Sequence, residues 1–127
     1  MKNICLVQAR LGSTRFPKKV IQQIDDKLSV LDLLFKRLSR SKYIDSIIFC
    51  IPNLEADNEL AKYLDQRNFK YKRGDSNDLI NRYLSCLEEN NNCNIIRITS
   101  DCPLVDPYWI DRAIQLFSEK KLTYCSN

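Results

Sequence analysis

The chain has 127 residues, of which 44% are hydrophobic and 28% charged, with a formal net charge of +4, six cysteines and no histidine. That size and balance suit one domain spanning residues 1–127, burying roughly two-thirds of its unfolded surface, and exclude a fibrous or disordered chain. The missing histidine removes Ser-His and Cys-His nucleophile pairs, and the absence of any CxxC spacing argues against zinc, so chemistry falls to carboxylates, cations and metal.

No apolar run approaches membrane length and no secretory signal is visible, so a cytoplasmic protein is expected, with Cys5, Cys50 and Cys125 as reduced, buried hydrophobes. The first strand is predicted over residues 4–9. The loop after it holds Arg10, Arg15, Lys18 and Lys19 around Gly12, with hydroxyls at Ser13 and Thr14 and a stiffening proline at Pro17. Glycine admits close backbone approach, and each charge-assisted hydrogen bond is worth about 1.5–3 kcal/mol, so this loop reads as a polyphosphate cradle. The alternative is a solvated basic loop.

Ser29 and Asp32 form a capping-box pattern ahead of a helical stripe at Val30, Leu31, Leu34, Phe35 and Leu38. Residues 46–51 are almost continuously apolar, as a parallel strand covered on both faces would be. A helix carrying Ala56, Leu60, Ala61 and Leu64 follows, then a short strand at 69–72 and a turn at Gly74. Leu79, Ile80, Tyr83, Leu84 and Leu87 give the next stripe, ending in an asparagine loop at 90–92. Another strand is predicted at 94–99, and Asp106-Pro107 reads as an N-cap with proline at the first helical position. Ile110, Ala113, Ile114 and Phe117 make the last stripe, and residues 122–125 are a final strand candidate.

Alternating strands and helices imply an α/β domain with a mostly parallel sheet, whose ligands collect beyond the carboxyl ends of the strands. Three polar loops leave strands at that edge: 10–19, 74–78 and 99–106. Asp101, in the third, can hold Mg²⁺ while phosphates and water complete the octahedron, or can cap a turn. Asp106 reads as a helix cap. Asp78 and Arg82 can contact a nucleoside or pair with each other at i,i+4. No aromatic residues alternate with the cations of the first loop, which disfavours a nucleic-acid partner.

Three segments together resemble the cytidylyltransferase family that includes CMP-sugar synthetases, most closely the branch of spore-coat polysaccharide biosynthesis protein F. Ala9-Arg-Leu-Gly-Ser-Thr-Arg-Phe-Pro-Lys-Lys19 resembles ARxGSTRxPGK, residues 74–83 resemble GSxxDVLxRY, and residues 97–107 resemble RxTGDCPLIDP. Tyr124-Cys-Ser-Asn127 resembles the following YxSN. Two departures stand out: Lys18 and Ser100 occupy positions where the family usually has glycine.

The resemblance implies a Rossmann-like sheet of the nucleotide-diphospho-sugar transferase type, helices on both faces, truncated to about the amino-terminal half. It implies Mg²⁺-dependent transfer from CTP to a sugar or sugar-acid hydroxyl, giving a CMP-sugar and pyrophosphate. A CTP-binding half-domain without turnover is the alternative. Arg10, Arg15 and Lys19 are then expected on the triphosphate and Asp101 on Mg²⁺. Ala9, Leu11, Gly12 and Ser13 would supply backbone and hydroxyl contacts, and Asp78 and Arg82 would face the nucleoside. The expected partners are CTP and its acceptor, not nucleic acid or membrane; oligomeric state stays open, a homodimer included.

Overall fold

The computed structural model describes residues 1–12, 18–87 and 92–126. Four strands, β1 (Lys2–Gln8), β2 (Ser46–Pro52), β3 (Tyr71–Gly74) and β4 (Cys93–Thr99), form an all-parallel sheet in the order β3-β2-β1-β4. Their crossovers carry α1 (Val30–Leu38), α2 (Asn58–Gln66) and α3 (Leu79–Cys86), and α4 (Pro107–Glu119) follows β4. The domain is α/β and Rossmann-like, as expected.

The central strands explain the continuous apolar runs, because both of their faces are covered. One face presents Cys5, Val7, Phe49 and Ile51 to Leu31, Leu34 and Leu38 of α1, Leu60 and Leu64 of α2, and Ile110 and Ile114 of α4. The other presents Ile4, Leu6, Ile48 and Cys50 to Tyr83, Cys86 and Leu87 on and just beyond α3. Burial pushes the Cys5 thiol up to about 12, so it stays protonated and serves as the small apolar side chain expected. Every fully buried leucine adds about 1.5–3 kcal/mol of transfer free energy, which fixes the helices on the sheet.

The capping box of α1 is present and is shared with α2. Ser29 Oγ accepts the Asp32 N–H at 3.1 Å, and Asp32 Oδ2 accepts the Ser29 N–H at 3.0 Å. From α2, Arg67 Nε donates to Asp32 Oδ1 at 2.6 Å and Tyr63 O–H donates to Asp32 Oδ2 at 2.7 Å, while the Arg67 guanidinium lies 3.5 Å over the Tyr63 ring. Desolvation pushes the Asp32 carboxyl up, but the bonds from Arg67, Ser29 and Tyr63 outweigh it and hold it below the ordinary carboxylate value.

Four expectations change. The predicted α3 stripe is turned: Ile80 and Leu84 are 72% and 57% exposed, while Arg82 and Cys86 are buried. Gly74 is the reason, since a Cβ there would stand 2.9 Å from Arg82 Cα and Cγ, and its absence lets α3 settle with Arg82 inward. Ala56 is exposed in a 3-10 turn, Glu55–Asp57, that turns Asp57 inward instead. β3 begins at Tyr71 because Phe69 is spent stacking on Phe35 at 3.9 Å.

The fourth change concerns residues 122–125, which form no strand. After α4 the chain turns through Lys121, whose φ of 50° is left-handed, and Leu122 N–H returns to Phe117 C=O at 3.0 Å. Tyr124 is left 78% exposed and Cys125 only half-buried, outside any strand. The asparagine loop lies mostly outside the described residues.

Candidate functional site

The carboxyl end of β1 is anchored on both sides. Ala9 N–H donates to Cys50 C=O at 3.2 Å, and Ser100 N–H donates to Gln8 C=O at 3.2 Å, extending the ladder between β1 and β4 past their ends. The next step of the chain is held by a side chain: Leu11 N–H donates to Asp57 Oδ1 at 2.8 Å, and Asp57 is 2% exposed. Beyond the undescribed residues, Lys18 N–H returns to Leu11 C=O at 3.2 Å. Val20, buried at 1%, pins the 3-10 turn Lys19–Ile21 to the core. Lys19 is thereby delivered beside the strand ends.

Between these anchors lies a cleft of about 150 Å³. Gln8, Ala9 and Arg10 line it from β1 and its loop, Lys19 and Val20 from the turn, Arg82 from α3, and Thr99, Ser100 and Asp101 from the end of β4. Arg82 is fixed by donating from Nε to Asp75 C=O at 2.8 Å and from Nη2 to Ser76 C=O at 3.0 Å. Three cations and one carboxylate therefore share the opening. The Thr99 hydroxyl, then its own N–H and the charge of Lys19, lower the Asp101 carboxyl below its ordinary value despite desolvation, so it is ionised at neutral pH.

Of the residues singled out by sequence, Ala9, Arg10, Lys19, Arg82 and Asp101 meet at this cleft. Leu11 is buried behind it, and Gly12 is exposed with nothing within 4 Å of a Cβ built on it. Asp78 does not pair with Arg82; its Oδ1 accepts Asn81 N–H at 3.0 Å as the N-cap of α3. Asp106 likewise caps α4, through Tyr108 N–H at 2.9 Å. Ser13 and Arg15 lie outside the described residues. Sequence reasoning missed Gln8, Thr99 and Asp57. The first two follow from strand register, Gln8 opposite Thr99, whereas a long-range bond such as Asp57 to Leu11 leaves no pattern in a single sequence.

A family model described as cytidylyltransferase matches residues 4–127. The chain belongs to the cytidylyltransferase family. It is 30% identical over 123 residues to the spore coat polysaccharide biosynthesis protein SpsF of Bacillus subtilis, a match covering 94% of this chain and 51% of that protein. To the 8-amino-3,8-dideoxy-manno-octulosonate cytidylyltransferase of Shewanella frigidimarina it is 30% identical over 122 residues, covering 92% and 48%. A solved cytidylyltransferase from Leptospira borgpetersenii superposes with a TM-score of 0.86 at 33% identity, over 95% of this chain and 50% of that one.

This member of the family spans about half the length of the relatives it matches. Its departure at Lys18 has a structural counterpart. Lys18 has φ 58° and ψ 22°, the left-handed region where glycine carries no Cβ penalty. Lys18 Nζ pairs with Glu59 at 2.8 Å, but both side chains are more than half exposed, so the pair offsets little of that strain.

Proposed function

We propose that this chain forms the CTP-binding part of an enzyme that transfers CMP to a hydroxyl of a sugar or sugar acid, releasing pyrophosphate, in surface polysaccharide or glycan synthesis. One observation carries the proposal: Arg10, Lys19 and Arg82 converge with the ionised Asp101 on one cleft at the carboxyl ends of β1 and β4. A nucleoside triphosphate matches such a cleft, because its anionic chain needs several cations at once.

Arg10, Arg15 and Lys19 neutralise the triphosphate, and Gly12 and Ser13 supply backbone and hydroxyl contacts along it; Ala9 and Leu11, expected to do the same, instead give their N–H groups to Cys50 C=O and Asp57 and shape the cleft from behind. Arg82 faces the nucleoside, with Asp78 acting through the cap that holds α3 in place. The acceptor hydroxyl oxygen forms a bond to the α-phosphorus and releases its proton to water, as the bond from that phosphorus to the bridging oxygen of the β-phosphate breaks and pyrophosphate departs with its electron pair. Such a reaction draws on positioning and charge neutralisation, which suits a chain with no histidine.

Among the described residues no group of three His, Cys, Asp or Glu side chains could hold a metal ion. One ionised carboxylate at a strand end does fit Mg²⁺, which is commonly bound through one or two carboxylates with substrate phosphates and water. Asp101 would be that ligand. The metal, when bound, would offset charge building on the phosphates. We place the reaction in the cytoplasm, the usual site of nucleoside triphosphates. Among the described residues no helix is long and apolar enough to cross a membrane.

The second reading is CTP binding without turnover, favoured by the match to only about half of each relative. Calorimetry with CTP and Mg²⁺, followed by pyrophosphate release in the presence of a panel of sugar acids, separates the two. Release supports the transferase, binding alone supports the second reading, and no CTP binding overturns both.

A further inference from the structure

Gln8, Tyr83 and Arg97 close a hydrogen-bonded triangle on the α3 face of the sheet. Arg97 Nη2 donates to Gln8 Oε1 at 2.9 Å, and Arg97 Nε donates to the Tyr83 oxygen at 3.1 Å. Tyr83 O–H donates to the same Gln8 Oε1 at 2.7 Å. A guanidinium has donors and no acceptor, so Arg97 turns the Gln8 oxygen towards itself, and the Tyr83 O–H donates to that same oxygen. Desolvation raises the Tyr83 hydroxyl above its ordinary value, which keeps it a donor at neutral pH.

The amide of Gln8 consequently cannot turn over. Reversed, its nitrogen would face the Arg97 Nη2 donor, and that charge-assisted bond would be lost. Both acceptor sites of Oε1 are taken, so what Gln8 offers to the cleft it lines is the Nε2 amide, a group that only donates. Among the described residues Nε2 makes no hydrogen bond, and Gln8 shares its face of the sheet with Thr99, its register partner on β4. A neutral amide adds nothing to the charge of Arg10 and Lys19, but a fixed donor can tell one heterocycle edge from another.

We infer that Gln8, locked by Tyr83 and Arg97, is a specificity-determining residue that donates to the pyrimidine base and selects cytosine over uracil. The inference rests on the proposal that CTP occupies this cleft. N3 of cytosine is an acceptor, whereas N3 of uracil carries a proton; a donor that cannot invert is satisfied by the first and opposed by the second. A site built around one polar contact rejects the analogue that lacks the partner far more strongly than an apolar site rejects a change of size. Tyr83 and Arg97 are positioning residues.

The test is calorimetry with Mg²⁺ and each of CTP, UTP and inorganic tripolyphosphate, on the wild type, Gln8→Met and Tyr83→Phe. Methionine matches glutamine in length, removes the donor and adds no charge. The wild type is expected to prefer CTP over UTP by about tenfold or more, and Gln8→Met to bring the two within about threefold of each other. Tripolyphosphate affinity should stay within about twofold of wild type in both variants, since phosphate contacts are unaltered. Tyr83→Phe leaves Gln8 in place but frees it to rotate, and is expected to lower the preference with little loss of triphosphate affinity. A wild-type CTP to UTP ratio in Gln8→Met overturns the inference while leaving CTP binding intact. A wild type that binds tripolyphosphate but not CTP overturns the reading of the site itself, and the role of Gln8 with it.

Discussion

The carboxylate of Asp57, at the turn into α2, accepts the backbone N–H of Leu11 at 2.8 Å across 46 residues of sequence. Its burial makes it the one long-range side-chain bond that holds the described start of the loop after β1. Asp57→Ala orphans that N–H in a dry environment, at a cost of about 1–3 kcal/mol. Urea denaturation should show this loss, and calorimetry a fall in tripolyphosphate affinity of about tenfold in protein that still folds. Unchanged tripolyphosphate affinity would reduce Asp57 to a purely structural group.

Gly74 and Arg82 are in contact through backbone. A methyl group at position 74 would sit 2.9 Å from Arg82 Cα, and backbone cannot swing aside as a long side chain can. Gly74→Ala is expected to cost about 1–3 kcal/mol as α3 is pushed outward. The thermal midpoint should fall by several degrees, and CTP affinity should drop along with it because Arg82 leaves the cleft. A variant as stable as wild type would mean that α3 is free to shift.

Lys18→Gly is expected to be neutral or stabilising by up to about 1 kcal/mol, unlike most glycine substitutions. Relief of the left-handed lysine contributes roughly 1–2 kcal/mol, set against the entropy that glycine gains in the unfolded chain. The exposed ion pair with Glu59 is a minor loss. Urea titration decides it: destabilisation beyond about 1 kcal/mol would show that the Lys18 side chain, not its backbone, matters.

Acid should weaken the joint between α1 and α2. The Asp32 carboxyl titrates lower in the folded state than in the unfolded one, so it stabilises the protein above its unfolded value of about 3.9. That contribution fades as pH falls from there through the folded value. Asp32→Asn should therefore be less stable than wild type at pH 7, and the two urea midpoints should converge towards pH 2. Parallel curves over that range would assign the acid loss to other carboxylates.

The alternation of strand and helix was legible because β1 and β2 are covered on both faces and read as unbroken apolar runs. The cleft was partly legible for the same reason, since Arg10, Lys19 and Asp101 follow strands whose ends could be read. The rotation of α3 was not, because Ile80 and Leu84 complete a convincing stripe while the close approach at Gly74 decides which side faces inward. Residues 122–125 have strand composition, but a strand exists only where a ladder receives it. Gln8 escaped notice because its meaning depends on two donors, Tyr83 and Arg97, that lie 75 and 89 residues away.

The pairing of β1 with β4, Gln8 against Thr99, joins strands whose partners lie 91 residues apart in sequence. Closing so wide a loop is entropically late work in folding, and β4 is the last in chain order of the four described strands. Before that closure Arg10 and Asp101 belong to separate segments with no shared ligand. If the proposed triphosphate site is right, it forms only when β4 joins β1, and a bound triphosphate would brace that late step of folding rather than its beginning.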